Sequence, residues 1–197
     1  MNPQRDAPRT AMTSPESVSQ STLWTIGHST RSLAEFIALL RNHDIACLVD
    51  VRRHPGSRRY PHFNVEPLAE ELARSEIRYI PMPLLGGRRS ARPDSLNGGW
   101  RNASFRGYAD YMDTPEFEQA FEELLSKSRT QSTAMMCAEA LPWRCHRTLI
   151  ADALVARGHV VRHILTYMRA DLHQLTPFAR VAAGYVTYPP DETPSLF

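Results

Sequence analysis

The stretch TAMMCAEALPWRCHRTLIADALVARGHVVRHIL, Thr133 to Leu165, decides how this chain folds. TAMMCA is a short apolar run of strand length. RCHRTLIADALVARG carries apolar residues at helical spacing and stops at Gly158, a helix-ending residue. VVRHIL returns to a strand pattern. Strand, helix and strand in this order make a βαβ unit, whose two strands lie parallel in one sheet.

The same alternation extends in both directions. LWTIG (Leu23–Gly27) reads as a strand. In SLAEFIALLRNHD, Leu33, Phe36, Ile37, Leu39 and Leu40 recur at helical spacing behind a Ser32 cap. ACLVDVR (Ala46–Arg52) is a second strand, and PLAEELARSEI is a helix with Pro67 in its first turn. RYIPMP is a third strand whose two prolines push it to an edge. A Gly- and Arg-rich loop, LLGGRRSARPDSLNGGWRNASF, leads to helical residues that restart at Thr114-Pro115 in TPEFEQAFEELLSKS. A last short helix is expected from Thr176-Pro177 to Gly184. The expected fold is α/β, with a mainly parallel sheet of about five strands and helices on both faces, a three-layer arrangement. The single domain spans 22–187. Residues 1–21 are rich in Pro, Ser, Thr and Gln and are expected to be a disordered tail, with 188–197 a second, flexible one.

Bulk properties narrow the setting. A chain of 197 residues suits one domain, and a net charge of +2 points to no partner by itself. Three cysteines, an odd number, do not form a disulfide scaffold and are at home in a reducing cytoplasm. The N-terminal residues hold no apolar segment of a secretory signal, and no apolar run is long enough to cross a bilayer. A cytoplasmic protein without a membrane partner is expected.

In an open parallel sheet, ligands bind beyond the carboxyl ends of the strands. His28 and Ser29 follow the first strand there, and Asp50, Arg52, Ser57 and Arg58 follow the second. Gly86-Gly87 follow the third, and Cys137, Glu139, Cys145, His146 and Arg147 follow the fourth. His163 lies in or at the end of the fifth. One rim therefore holds every cluster capable of chemistry.

TIGHST, FIALL, LVDVRRHPGSRRYPHFN, YIPMPLLGG, RGYADYM and MMCAEALPWRCHR, followed by RHI, occur in order from Thr25 to Ile164. Together they resemble the family catalogued as domain of unknown function 488. The resemblance implies a single Rossmann-like α/β domain and no particular reaction. The matching positions include His28, Asp50, Arg52, Ser57, Arg58, Gly86, Gly87, Tyr108, Cys137, Glu139, Cys145, His146 and Arg147.

The rim residues admit several chemistries. With Pro142 at a helix start, Cys145 falls in the first turn, where backbone N–H groups, Arg144, His146 and Arg147 would favour a thiolate. The plain alternative is a half-buried thiol packed under the helix. Cys137 sits at a strand end, with seven residues between it and Cys145, so a strand–loop–helix turn can bring the two sulfurs together. The pair lacks the spacing of a C-x-x-C site, and Cys47 lies in an apolar strand as core. A phosphatase-like anion loop needs Cys, five residues and Arg, whereas Cys137 reaches Arg144 after six. Cys137, Cys145 and His146 with a distant His28 or His163 offer soft metal ligands, but without finger-like spacing. No metal ligand and no cofactor is assigned.

Glu139 is either a general acid/base or a partner for Arg52 or Arg147. Asp50 and Arg52 face the same way on a strand and either hold a ligand or pair with each other. Ser57-Arg58 and Gly86-Gly87 offer N–H groups and guanidinium forks to a phosphate. Rim arginines interleave with Tyr60, Phe63, Trp100, Phe105, Tyr108 and Trp143. The expectation is an enzyme with catalytic Cys145, Cys137, Glu139 and His146, acting on a phosphorylated or nucleotide-like anion. The alternatives are a non-catalytic nucleic-acid-binding module and a thiol redox or metal-binding protein.

Overall fold

In the computed structural model, which describes residues 20–190, six strands form one sheet. They are β1 (Thr22–Gly27), β2 (Cys47–Asp50), β3 (Arg78–Pro81), β4 (Thr133–Cys137), β5 (Val160–Thr166) and β6 (Arg169–Leu172). The order is β3-β2-β4-β1-β5-β6, parallel throughout except for the antiparallel β5–β6 pair. The helices among the described residues are α1 (Leu33–Asn42), α2 (Val65–Arg74), α3 (Ala103–Tyr111), α4 (Pro115–Ser128) and α5 (Arg147–Ala156).

Local chemistry accounts for most of these boundaries. Ser32 caps α1 in a reciprocal capping box with Glu35. Thr114 caps α4, with Pro115 in its first turn, where the missing N–H costs nothing. Proline-bearing β3 lies at the sheet edge, as its sequence requires.

Alternate strand residues feed two separate cores, because a pleated strand points successive side chains to opposite faces. Cys47, Val49, Met135 and Cys137 join the cluster built with α3, α4 and α5. Leu48, Ala134, Met136 and Ile164 join the cluster built with α1 and α2. The topology then positions the site. After β1 the chain leaves through α1 toward β2, on one side of the sheet order. After β4 it leaves through α5 toward β5, on the other side. Neighbouring β1 and β4 therefore send their chains in opposite directions, which makes them the switch point of an open α/β sheet, with the segments after them held together by His28 N–H to Cys137 O and Ser29 N–H to Ala138 O.

Three expectations need correction. The sheet has six strands rather than about five, because YMRADL turns back beside β5 as antiparallel β6. The short helix expected over 176–184 is absent. In its place β7 (Arg180–Ala182) and β8 (Tyr185–Thr187) form a hairpin. The two turn residues between them, Ala183 and Gly184, have φ of 50° and 82°. Left-handed geometry at both positions matches the right-handed twist of a two-residue hairpin and excludes a helix. Finally, most of the two expected tails (1–19 and 191–197) lies outside the described residues, but Tyr188 does not behave as a tail. It is fully buried and donates from its hydroxyl to Asp152.

Candidate active site

A pocket of about 370 Å³ opens beyond the carboxyl ends of β2, β3 and β4. Its deep wall is formed by Cys137, Cys145 and His146, and its rim by Arg53, His54, Arg88 and Arg144. Arg52, Gly87 and Glu139 also line it, so cations outnumber the single carboxylate.

The loop after β4 is not a helical turn. Pro142–Arg144 forms a 3₁₀ turn, Cys145 is extended (φ −134°, ψ 147°), and α5 begins only at Arg147. Cys145 therefore precedes the helix instead of sitting in its first turn, a correction to the expected anion site. The extended residue swings its sulfur back to 2.6 Å from that of Cys137. Both thiols are free and buried.

Two cationic or basic groups address these sulfurs. Arg147 Nε–H points at both, 3.1 Å from Cys137 and 3.5 Å from Cys145. His146 Nδ1 lies 3.6 Å from Cys145 Sγ. The other imidazole nitrogen, Nε2, donates to the Val51 carbonyl at 3.1 Å. A carbonyl only accepts, so Nε2 carries a proton, and Nδ1 is the nitrogen turned to the thiol. Gly87 makes this possible: a Cβ there would stand 2.9 Å from Nδ1.

Burial alone would raise the Cys145 thiol. The Cys137 hydrogen bond, His146 and Arg147 outweigh it and pull Cys145 well below the ordinary thiol range. Burial and the bond to Cys145 hold Cys137 well above that range. Arg147 serves either sulfur, and Glu139 N–H approaches Cys137 at 3.3 Å. Only Cys145 also faces an imidazole, so we assign the negative charge to Cys145 and the shared proton to Cys137.

Behind Arg147 runs a buried chain of hydrogen bonds. Arg147 Nη1 donates to Thr25 Oγ1 at 3.2 Å, and Thr25 meets His163 Nδ1 at 2.8 Å. His163 Nε2 contacts His173 Nδ1 at 2.9 Å, and His173 Nε2 contacts Asp152 Oδ1 at 2.9 Å. An arginine can only donate and a carboxylate only accept, so Arg147 donates to Thr25 at one end and His173 Nε2 donates to Asp152 at the other. Asp152 also receives Thr176 N–H, Thr176 O–H and Tyr188 O–H. Beyond Arg147 itself, sequence reasoning singled out only His163 from this chain, at the end of the fifth strand and as a distant metal ligand. Both of its ring nitrogens are occupied here.

Other expected ligand-binding residues lie beneath or beside the pocket. Asp50 takes Arg52 in a buried ion pair of 2.6 Å and also accepts Tyr79 O–H, so the Asp-x-Arg pair is satisfied internally. Arg52 still reaches the pocket wall. His28 is buried and stacks on Phe63 with centroids 4.2 Å apart. Its Nδ1 donates to Ser29 O, and burial followed by Arg52 holds its pKa down to about 4. Ser29 zips the loop to β4 through its N–H to Ala138 O. Ser57 braces its own loop through Tyr60 N–H and Asn64, while Arg58 is exposed and outside the wall. Tyr108 is fully buried and donates to Leu85 O, so it anchors a turn and cannot meet a ligand. Gly86 packs against Arg53, where a Cβ would stand 2.6 Å from the Arg53 backbone.

Glu139 is exposed, and Arg147 touches it through its carbonyl, not its carboxylate. Among the described residues no three His, Cys, Asp or Glu side chains converge as a metal cluster, and neither His28 nor His163 joins the thiols. His54 was missed: only its place in HPGSRR after β2 marked it.

The family model described as domain of unknown function DUF488 matches residues 32–154, more than half of the chain. The chain belongs to the DUF488 family. No curated protein and no solved structure matches it. Within the DUF488 match lie both pocket thiols, His146, Arg147, Asp152 and the rim arginines. Thr25, His163, His173 and Tyr188 lie outside it, so the DUF488 segment supplies the thiol-bearing wall and flanking residues supply part of the hydrogen-bond chain behind it. No helix among the described residues is long and apolar enough to cross a membrane.

Gly27 is where β1 meets this wall. A Cβ there would stand 1.9 Å from Glu139 O, the carbonyl that Arg147 grips. Gly27→Ala is expected to lower stability by about 1–3 kcal/mol, the usual cost of overpacking. It should also slow alkylation of Cys145. Chemical unfolding and alkylation rate measured on one preparation check both, and wild-type values for both would remove this role.

Proposed function

We propose that this protein is a thiol-dependent enzyme acting on a phosphorylated or nucleotide-like anion, with Cys145 as nucleophile. The observation that carries the reading is the Cys145–His146 pair in the pocket wall, with the imidazole tautomer set by Val51. His146 takes the Cys145 proton, Arg147 steadies the negative charge, and Cys137 donates a hydrogen bond to it. Arg53, Arg88 and Arg144 would hold the anion by charge-assisted hydrogen bonds. Glu139, exposed at the same wall, is available to carry a proton to or from the ligand. In this reading the residues from 22 through the buried Tyr188 form a single three-layer Rossmann-like domain, with the ligand beyond the carboxyl ends of its strands. Free thiols fit a reducing cytoplasm.

The test is alkylation of the intact reduced protein with iodoacetamide at about pH 6.5, where an ordinary thiol of pKa near 8.5 is mostly protonated. Cys145, identified by peptide mass, should react at least ~10-fold faster than free cysteine, as its larger thiolate fraction dictates. Cys145→Ser should abolish the fast phase. A rate equal to that of free cysteine would overturn the thiolate assignment.

A further inference from the structure

We propose that Cys137 and Cys145 together carry out thiol–disulfide exchange on a small anionic disulfide, Cys145 attacking and Cys137 resolving. This rests on the reading of Cys145 as the pocket nucleophile and adds its substrate class. A thiol enzyme that only forms a covalent adduct needs one sulfur. Here a second one touches the first at 2.6 Å, and both open on the same pocket. The third cysteine, Cys47, is buried in the sheet and lines no part of it.

The residues allow a balanced sequence. Cys145 thiolate, its proton held on His146 Nδ1, attacks one sulfur of a disulfide RS–SR. The substrate S–S bond breaks, a Cys145–S–SR bond forms, and the departing RS⁻ takes the proton from His146. The bonded Cys145 sulfur is then in contact with Cys137. Cys137 attacks it, the mixed disulfide breaks, and a Cys137–Cys145 bond forms. The Cys137 proton leaves with the second RS⁻. The substrate gains two electrons and two protons and becomes two thiols; the protein dithiol loses the same. Exchange with a dithiol reductant reverses the oxidation.

The surroundings suit this exchange. Arg147 Nε–H reaches both sulfurs, so it can follow the negative charge as it moves from one to the other. A thiolate attacks, and a low leaving-group pKa speeds the departure. The rim explains the preference for an anion: Arg53, His54, Arg88 and Arg144 face Glu139 alone.

The experiment mixes the reduced full chain with 5,5′-dithiobis(2-nitrobenzoate), an anionic disulfide, and in parallel with neutral 2-hydroxyethyl disulfide. Iodoacetamide alkylation is run on the same preparation. Wild type should release both halves of the anionic probe, retain none of it, and yield a Cys137–Cys145 linked peptide by mass spectrometry. Cys137→Ala should release one half and retain the other on Cys145. Relative to its own rate with free cysteine, which cancels the difference in leaving group, the anionic probe should gain at least ~10-fold more than the neutral one at low salt, with the gap narrowing as salt rises. A stable mixed disulfide in wild type, or fast alkylation without any reaction with disulfides, overturns the exchange and leaves the nucleophile standing. Equal gains over free cysteine for the two probes overturn the anionic preference. Slow alkylation overturns the underlying reading. The linked peptide is read on wild type, so the test survives a variant that fails to fold.

Discussion

Arg147→Met is expected to remove the unusual reactivity of the thiol pair while leaving both cysteines in place. Arg147 is 1% exposed, and among the described residues no carboxylate touches its guanidinium. Its partners are the two sulfurs, Thr25 Oγ1 and the Glu139 carbonyl. A buried cation needs an anion, and the only anion these contacts offer is the thiolate. Cation and thiolate therefore stabilise each other. Methionine fills a similar length without charge, so burial is left to push Cys145 up again. An opposite charge at this range moves a pKa by about 1–3 units. The midpoint of the alkylation pH profile should rise by about that much, and the rate near pH 6.5 should fall roughly 10- to 1000-fold, which follows from the same shift. Arg147→Lys keeps the charge but not the fork and should fall between the two. A pH profile identical to wild type would show that the charge has no part in activating the thiol.

Acid should unfold this protein well before its surface carboxylates account for it. Burial, then the neighbouring His173 and Arg147, hold His163 down to about 3, and burial and Arg52 hold His28 down to about 4. Both imidazoles are neutral in the native state and take up a proton on unfolding at an ordinary pKa near 6.5. Between pH 6.5 and the native values the unfolded chain binds more protons, so stability rises with pH in this window and falls as pH drops through it. Above pH 6.5 the two groups contribute no pH dependence. For His163 alone the loss by pH 3 is on the order of 4 kcal/mol, at 1.36 kcal/mol for each unit of difference. His28 adds to it. Domains of this kind have about 5–15 kcal/mol to lose. The melting temperature should be flat near neutrality and fall steeply between about pH 6 and 4, the upper edge being the free imidazole value. His163→Gln should be less stable at pH 7 and show a shallower fall. A melting temperature unchanged from pH 7 to 4 would mean that neither imidazole is held neutral by the fold.

How much of this was legible in the residues depends on the distance over which each feature is decided. The Ser32 capping box, Pro115 at the start of α4 and the two prolines of β3 act within a few residues, and each placed its element correctly. The β7–β8 hairpin was not legible, because Ala183 gives no sign that it takes left-handed geometry. Cys145 was misjudged for a related reason: Pro142 begins a 3₁₀ turn, not the helix, and one extended residue reverses the direction of the thiol.

From residues alone came the α/β alternation and the rule that polar groups after strands share one rim. Which of them form the pocket wall and which lie beneath it was decided in tertiary structure. Tyr108 and Asp50 carry chemistry on paper, yet each spends its polar atoms on a buried neighbour. Thr25 and His163 stand 138 residues apart and meet only because β1 and β5 are paired. Local periodicity reports which face of its own strand or helix a side chain occupies. What it finds there is set by elements packed from elsewhere in the chain: burial by them holds His163 and Cys137 neutral, while the partners they bring up hold Arg147 charged and Cys145 a thiolate.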